Sequence, residues 1–191
     1  MRTSKTVITA LVVLLTPVAA WAAFKPIRVV APKLLGLHCA ASGVCVDEVG
    51  RFAEAEVLRS EALDFVARYV GEIKHPPRTI FCSSMTCTQA FGFTNNAAYN
   101  VGTYGLVISY RGWRPYFVRH ELIHHLQNER LGTFNAWLFK PSWLLEGMAY
   151  SMSDDPRKPL PQPLQGWRES FEQWRLVTRD QDIWEAARAV R

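Results

Sequence analysis

Pro115-Tyr116-Phe117-Val118-Arg119-His120-Glu121-Leu122-Ile123-His124-His125-Leu126-Gln127-Asn128-Glu129-Arg130-Leu131-Gly132 reads as one complete helix with its own start and stop. Proline suits the first helical position, where its missing N–H costs nothing, and glycine stands just past the end. Tyr116, Phe117, Leu122, Ile123 and Leu126 supply apolar surface, so the helix is expected to be largely buried. Buried imidazoles need partners. His120 and His124 are four residues apart and share one helical face, from which both rings can reach a single tetrahedral Zn²⁺. Glu121 projects about 100° round the axis, toward a water beside such an ion. A core helix whose histidines bond to backbone carbonyls would satisfy the same pentapeptide. His125 points about 100° away from His124 and reads as a structural or supporting group.

A second helix offers a third ligand. Pro141-Ser142-Trp143-Leu144-Leu145-Glu146-Gly147-Met148-Ala149-Tyr150 begins through proline and ends before Pro156. The neighbours of Glu146 three and four residues away are Ser142, Trp143, Ala149 and Tyr150, so no charged face accounts for its carboxylate. An anion in such surroundings calls for a cation. Gly147 beside it is expected to let the first helix approach closely, at a helix-propensity cost of about 1 kcal/mol. His120, His124 and Glu146 together would hold one Zn²⁺ per chain and leave its fourth position to water.

At these residues the chain resembles the gluzincin metallopeptidases, the group that includes thermolysin and the zinc aminopeptidases. Their shared pattern is His-Glu-x-x-His followed by a glutamate on a second helix. The matching residues are His120, Glu121, His124 and the run Trp143-Leu144-Leu145-Glu146-Gly147-Met148-Ala149, with twenty-one residues between His124 and Glu146. The likeness covers about residues 104 to 155. It implies that His120, His124 and Glu146 bind zinc and that Glu121 is the general base of peptide hydrolysis. Thermolysin-like members also carry an aspartate four residues after the ligand glutamate, where this chain has Tyr150, with Asp154 and Asp155 following one turn later. They stabilise the oxyanion with a downstream histidine or tyrosine. No histidine follows His125, which leaves Tyr150 as the candidate by elimination. In this group the strand before the zinc helix is the sheet edge that pairs with an extended substrate. That implies a peptide bound by strand addition along 105–110, although an ordinary strand beneath the helix fits the same residues.

The chain has 191 residues, of which 49% are hydrophobic and 20% charged, enough for one core. Residues 1–22 carry Arg2 and Lys5, then the apolar run Val7 to Leu15, then Ala20-Trp21-Ala22. That is the grammar of a signal peptide, with an uncleaved N-terminal anchor as the alternative. Either places the domain outside the cytoplasm, secreted or periplasmic in the first case and membrane-anchored in the second. Membrane contact is expected only in the anchored case. Four cysteines suit that compartment: Cys39 with Cys45 and Cys82 with Cys87 form two local pairs, though three connectivities are formally open. A second, cysteine-held zinc is the competing use, and neither spacing is of its two-residue type. The net charge of +5 loses two with Arg2 and Lys5, leaving +3. With charges interspersed and no basic run, no nucleic-acid partner is expected.

Residues 47–73 carry apolar positions among charges and predict an amphipathic helix before Pro76-Pro77. Thr79–Phe81 and Tyr104–Tyr110 read as strands. A proline-rich connector follows Asp155, and Trp167, Phe171 and Trp174 then recur at helical spacing before a last segment with Ile183, Trp184, Ala187 and Val190. This stripe packs on the core or docks on a membrane or partner. The fold expected is α+β: residues 23–191 as a single compact zincin-like domain with a small sheet, the two ligand-bearing helices and a C-terminal helical extension. The function expected is that of a zinc metallopeptidase. The alternative is a catalytically weak or inactive zinc-binding domain serving as an envelope binding or assembly module.

Overall fold

The structure is a computed structural model that describes residue 16, residues 19–21 and residues 23–191. But for those four residues, the leader-or-anchor segment 1–22 lies outside the described residues. Among the described residues no helix is long and apolar enough to cross a membrane.

Two 3₁₀ turns, Lys25–Val30 and Pro32–Leu35, lead to strands β1 (His38–Cys39) and β2 (Val44–Val46). A further 3₁₀ turn, Val49–Arg51, opens into helix α1 (Phe52–Tyr69), followed by β3 (Arg78–Phe81), the short α2 (Met85–Ala90), β4 (Ala98–Val101) and β5 (Gly105–Ile108). The rest is helical: α3 (Pro115–Leu131), α4 (Thr133–Phe139), α5 (Ser142–Met152), α6 (Leu164–Val177) and α7 (Ile183–Ala189). The fold is α+β, with one five-stranded mixed sheet in the order β1-β2-β3-β5-β4. The three central strands are parallel, and the outer two run antiparallel to their neighbours.

Both faces of this sheet are buried, and strand periodicity explains how. Val44, Val46, Phe81, Leu106 and Ile108 face the core formed with α1, α3 and α5. The alternate residues Cys45, Ile80 and Val107 join Val29, Phe91 and Phe93 beneath the N-terminal turns and α2. Strands buried on both faces read as continuous apolar runs, as Val44-Cys45-Val46 and Leu106-Val107-Ile108 do. The cysteines form the two local disulfides, Cys39–Cys45 and Cys82–Cys87, so no thiolates remain for a cysteine-held metal. Two disulfides fit an extracytoplasmic location.

Two expectations are corrected by this topology. Strand β5 is not the sheet edge: it pairs with β3 on one side and β4 on the other, all four of its residues are buried, and Ser109 and Tyr110 lie beyond it. Its backbone groups are engaged, so a peptide cannot add along 105–110. The edge on this side of the sheet is β4, a short strand without alternating hydrophobicity, and β1 is the edge on the other. Gly147 serves a different helix from the one expected. A Cβ there would lie 2.3 Å from the carbonyl oxygen of Trp167 and 2.7 Å from Cβ of Phe171, so the glycine admits α6, not α3, against α5. The aromatic stripe of the C-terminal segment accordingly turns inward: Phe171 and Trp184 are buried, and Trp174 meets Trp143 edge-on at 6.1 Å.

Candidate metal centre

Helix α3 begins at Pro115 and ends at Leu131, where Gly132 at φ 83° turns the chain directly into α4. Its middle carries the ligand pair because Val118, Leu122, Ile123 and Leu126, all fully buried, hold the opposite faces in the core. Helix α5 crosses it with Leu144 and Met148 inward, which turns Glu146 toward His120 and His124. The Nε2 atoms of the two histidines are 3.1 Å apart, and each stands 3.5 Å from one oxygen of Glu146. A tetrahedral ion with bonds of about 2.0–2.1 Å has edges of about 3.3–3.4 Å, so the three ligand atoms already occupy a face of the right size. His120, His124 and Glu146 therefore form a group able to hold a metal ion.

Charge in the group follows the same arrangement. Burial favours the neutral form of both imidazoles and prevails at His120. At His124 the hydrogen bond and charge of Glu146, joined by the charge of Glu121, overcome burial and raise the pKa to about 9. Glu146 is held far below the ordinary carboxylate range, because its hydrogen bonds to the two histidines outweigh the effect of burial. The cluster thus draws one positive charge into its centre.

Gln127, one turn beyond His124, fixes the outer ligand. Its amide nitrogen donates to the Leu145 carbonyl at 2.9 Å, so its oxygen must accept from His124 Nδ1 at 2.8 Å. That places a proton on Nδ1 and leaves Nε2, which faces Glu146, as the atom free to exchange its proton for a metal ion. Spacing of three on the helix was the available signal, but a polar residue at i+3 is too common to be read without the fold. Among the described residues neither Asp154 nor Asp155 hydrogen-bonds a candidate ligand, although the charge of Asp155 reaches His120. Asp154 faces Arg119 at 3.3 Å, and the buried carboxylate of Asp155 pairs with the partly exposed Arg157. His125 is fully buried and turned away, with Nε2 3.0 Å from the His75 carbonyl and 3.3 Å from Glu129.

Glu121 lines the same cleft as the three ligands, together with Tyr150, Gln127, Asn96, Asn100 and Trp137. Its carboxylate makes no hydrogen bond or ion pair among the described residues, and burial raises its pKa to about 7. Tyr150 sets its ring edge-on to His120 at 4.4 Å. Its hydroxyl is pushed up to about 12, by burial first and then by the charge of Glu146, so it keeps its proton at neutral pH. The cleft, about 400 Å³, is bounded on one side by the edge strand β4 through Ala98, Tyr99 and Asn100. The buried amide nitrogen of Asn100 in that wall has no hydrogen-bond partner among the described residues. Comparison of the chain with protein-family models, with curated proteins and with solved structures finds no match.

Proposed function

We propose that this chain is an extracytoplasmic zinc metallopeptidase of the gluzincin kind, with a zincin-like fold. The observation that carries the proposal is the coincidence, in one cleft, of a three-atom ligand face of tetrahedral size with an unpartnered carboxylate, Glu121, one residue after the first ligand. His120, His124 and Glu146 would hold the ion. When bound, zinc would polarise a carbonyl oxygen and acidify a water. Glu121 would accept a proton from the attacking water and hand it to the leaving amine, a task suited to a carboxylate with no hydrogen bond or ion pair among the described residues. Tyr150, protonated at neutral pH, supplies a hydrogen-bond donor at the opposite wall. Gln127 keeps His124 in the ligating tautomer.

The edge strand β4 takes the substrate-binding place expected of β5. An extended peptide pairing with Ala98–Val101 would run along the cleft past Glu121. The test is cleavage of a synthetic peptide library by the zinc-loaded protein. Hydrolysis abolished by a chelator and restored by zinc supports the reading. Stoichiometric zinc binding without cleavage of any library member overturns it in favour of the binding or assembly module.

A further inference from the structure

Helix α4 inverts the usual burial pattern. Of its seven residues only Ala136 is buried, while Phe134, Trp137, Leu138 and Phe139 are 77%, 78%, 56% and 65% exposed. Phe134, Trp137 and Leu138 follow the i, i+3, i+4 spacing of one helical face, while Phe139 stands at the C-terminal end of the helix, off that face and next to Lys140. A soluble chain does not gain by displaying such a surface, and single scattered apolar residues do not make one. The adjoining surface is basic. Lys140 Nζ reaches the carbonyls of Arg188 and Val190, drawing the end of the chain against the apolar face. Arg188 and Arg191 are exposed there. Among the described residues no carboxylate forms an ion pair with Lys140, Arg188 or Arg191.

We propose that α4 is a membrane-docking helix that inserts the face of Phe134, Trp137 and Leu138 into the interface of an anionic bilayer while Lys140, Arg188 and Arg191 contact its headgroups. Aromatic and aliphatic side chains on one face, flanked by cations able to snorkel, are the chemistry that a lipid–water boundary selects. The same charges argue against a second copy as occupant. A two-fold contact through this face would bring Lys140, Arg188 and Arg191 toward their own images, and among the described residues none of the three is neutralised by an ion pair. Trp137 also lines the cleft of the metal centre, so docking would set the cleft mouth at the lipid surface. The inference does not depend on peptidase activity.

The test uses the full chain with Leu138→Cys labelled by an environment-sensitive nitrobenzoxadiazole group. Labelling is specific because the four native cysteines are paired. A Val57→Cys label on α1, also at an exposed position, is the comparison. On phosphatidylglycerol vesicles the label at 138 is expected to shift to the blue while the label at 57 does not. Tethering through the N-terminal apolar run alone would carry both labels to the vesicle without burying either. Replacing Arg188 and Arg191 with Gln should raise the lipid needed for half-maximal shift about fivefold per charge removed. The proposal is overturned by no shift at 138, by equal shifts at both sites, or by equal response to phosphatidylcholine. A shift that grows with protein concentration without lipid overturns it too, and assigns the face to a second copy.

Discussion

Gly147→Ala tests whether the metal centre depends on the contact between α5 and α6. The added Cβ would lie 2.3 Å from the Trp167 oxygen, 2.9 Å from the Trp167 carbonyl carbon and 2.7 Å from Cβ of Phe171. Ordinary contact is about 3.3 Å to oxygen and about 3.5 Å or more to carbon, so the three overlaps run from about 0.6 to about 1 Å. Two of these atoms are backbone and the third is a Cβ, so no rotamer change relieves them; the helices must part. Overpacking of this kind costs about 3 kcal/mol or more, and alanine's better helix propensity returns about 1 kcal/mol. The net loss of about 2 kcal/mol lowers the midpoint of thermal unfolding by roughly 4–8 °C in a chain of this size. Glu146 is the adjacent residue, and a ligand site tolerates displacements of only about 0.2 Å, so zinc retention should fall as well. Circular dichroism melts and metal analysis after dialysis read the two effects. Gly166→Ala is the paired control. Its Cβ would meet only the Gln162 side-chain oxygen, at 3.2 Å, which can move, so stability should hold or rise. A Gly147→Ala protein that melts with the parent and keeps its zinc would refute the reasoning.

Four further outcomes are expected. Glu146→Ala leaves two protein ligands, so zinc should be lost on dialysis; stoichiometric retention at parental affinity would mean another residue completes the site. Glu121→Gln should keep fold and zinc while peptide hydrolysis drops by about 10² to 10⁴, and near-parental rates would remove Glu121 from the mechanism. Protein made in its native host and denatured without reductant should show no alkylatable thiol, in keeping with the Cys39–Cys45 and Cys82–Cys87 disulfides; four labelled cysteines would contradict them. Asp155→Asn should cost about 1–3 kcal/mol at neutral pH in urea titrations. Burial pushes the Asp155 carboxyl up, but hydrogen bonds from Arg157 outweigh it and hold the folded pKa below the ordinary value. The contribution is therefore fully present above the unfolded pKa of about 4 and lost as pH falls through the lower folded value. The gap between parent and variant should close in acid, and a gap independent of pH would show that the carboxylate charge is not its source.

The helix Pro115–Leu131, its proline start and glycine stop, and the candidate ligand pair on one face were legible in the chain alone, because these depend on spacing of three to four residues within one element. Glu146 stood out too, since a carboxylate among apolar helical neighbours is anomalous before any fold is known. The cysteine pairing was legible for the same reason, the partners being six and five positions apart. Which strand forms the sheet edge beside the cleft emerged only from the folded chain. Edge status depends on the order in which strands pair, and β4 enters outside β5 through residues with no period-two pattern. Only the structure showed that Gly147 makes room for α6, that Gln127 orients His124 and that Asp155 belongs to Arg157. Each of those facts joins a helix face to a partner whose direction the local chain does not encode. The exposure of α4 belongs with them. Thr133–Phe139 looks like core by composition, and whether an apolar helix is covered depends on what the rest of the chain lays over it.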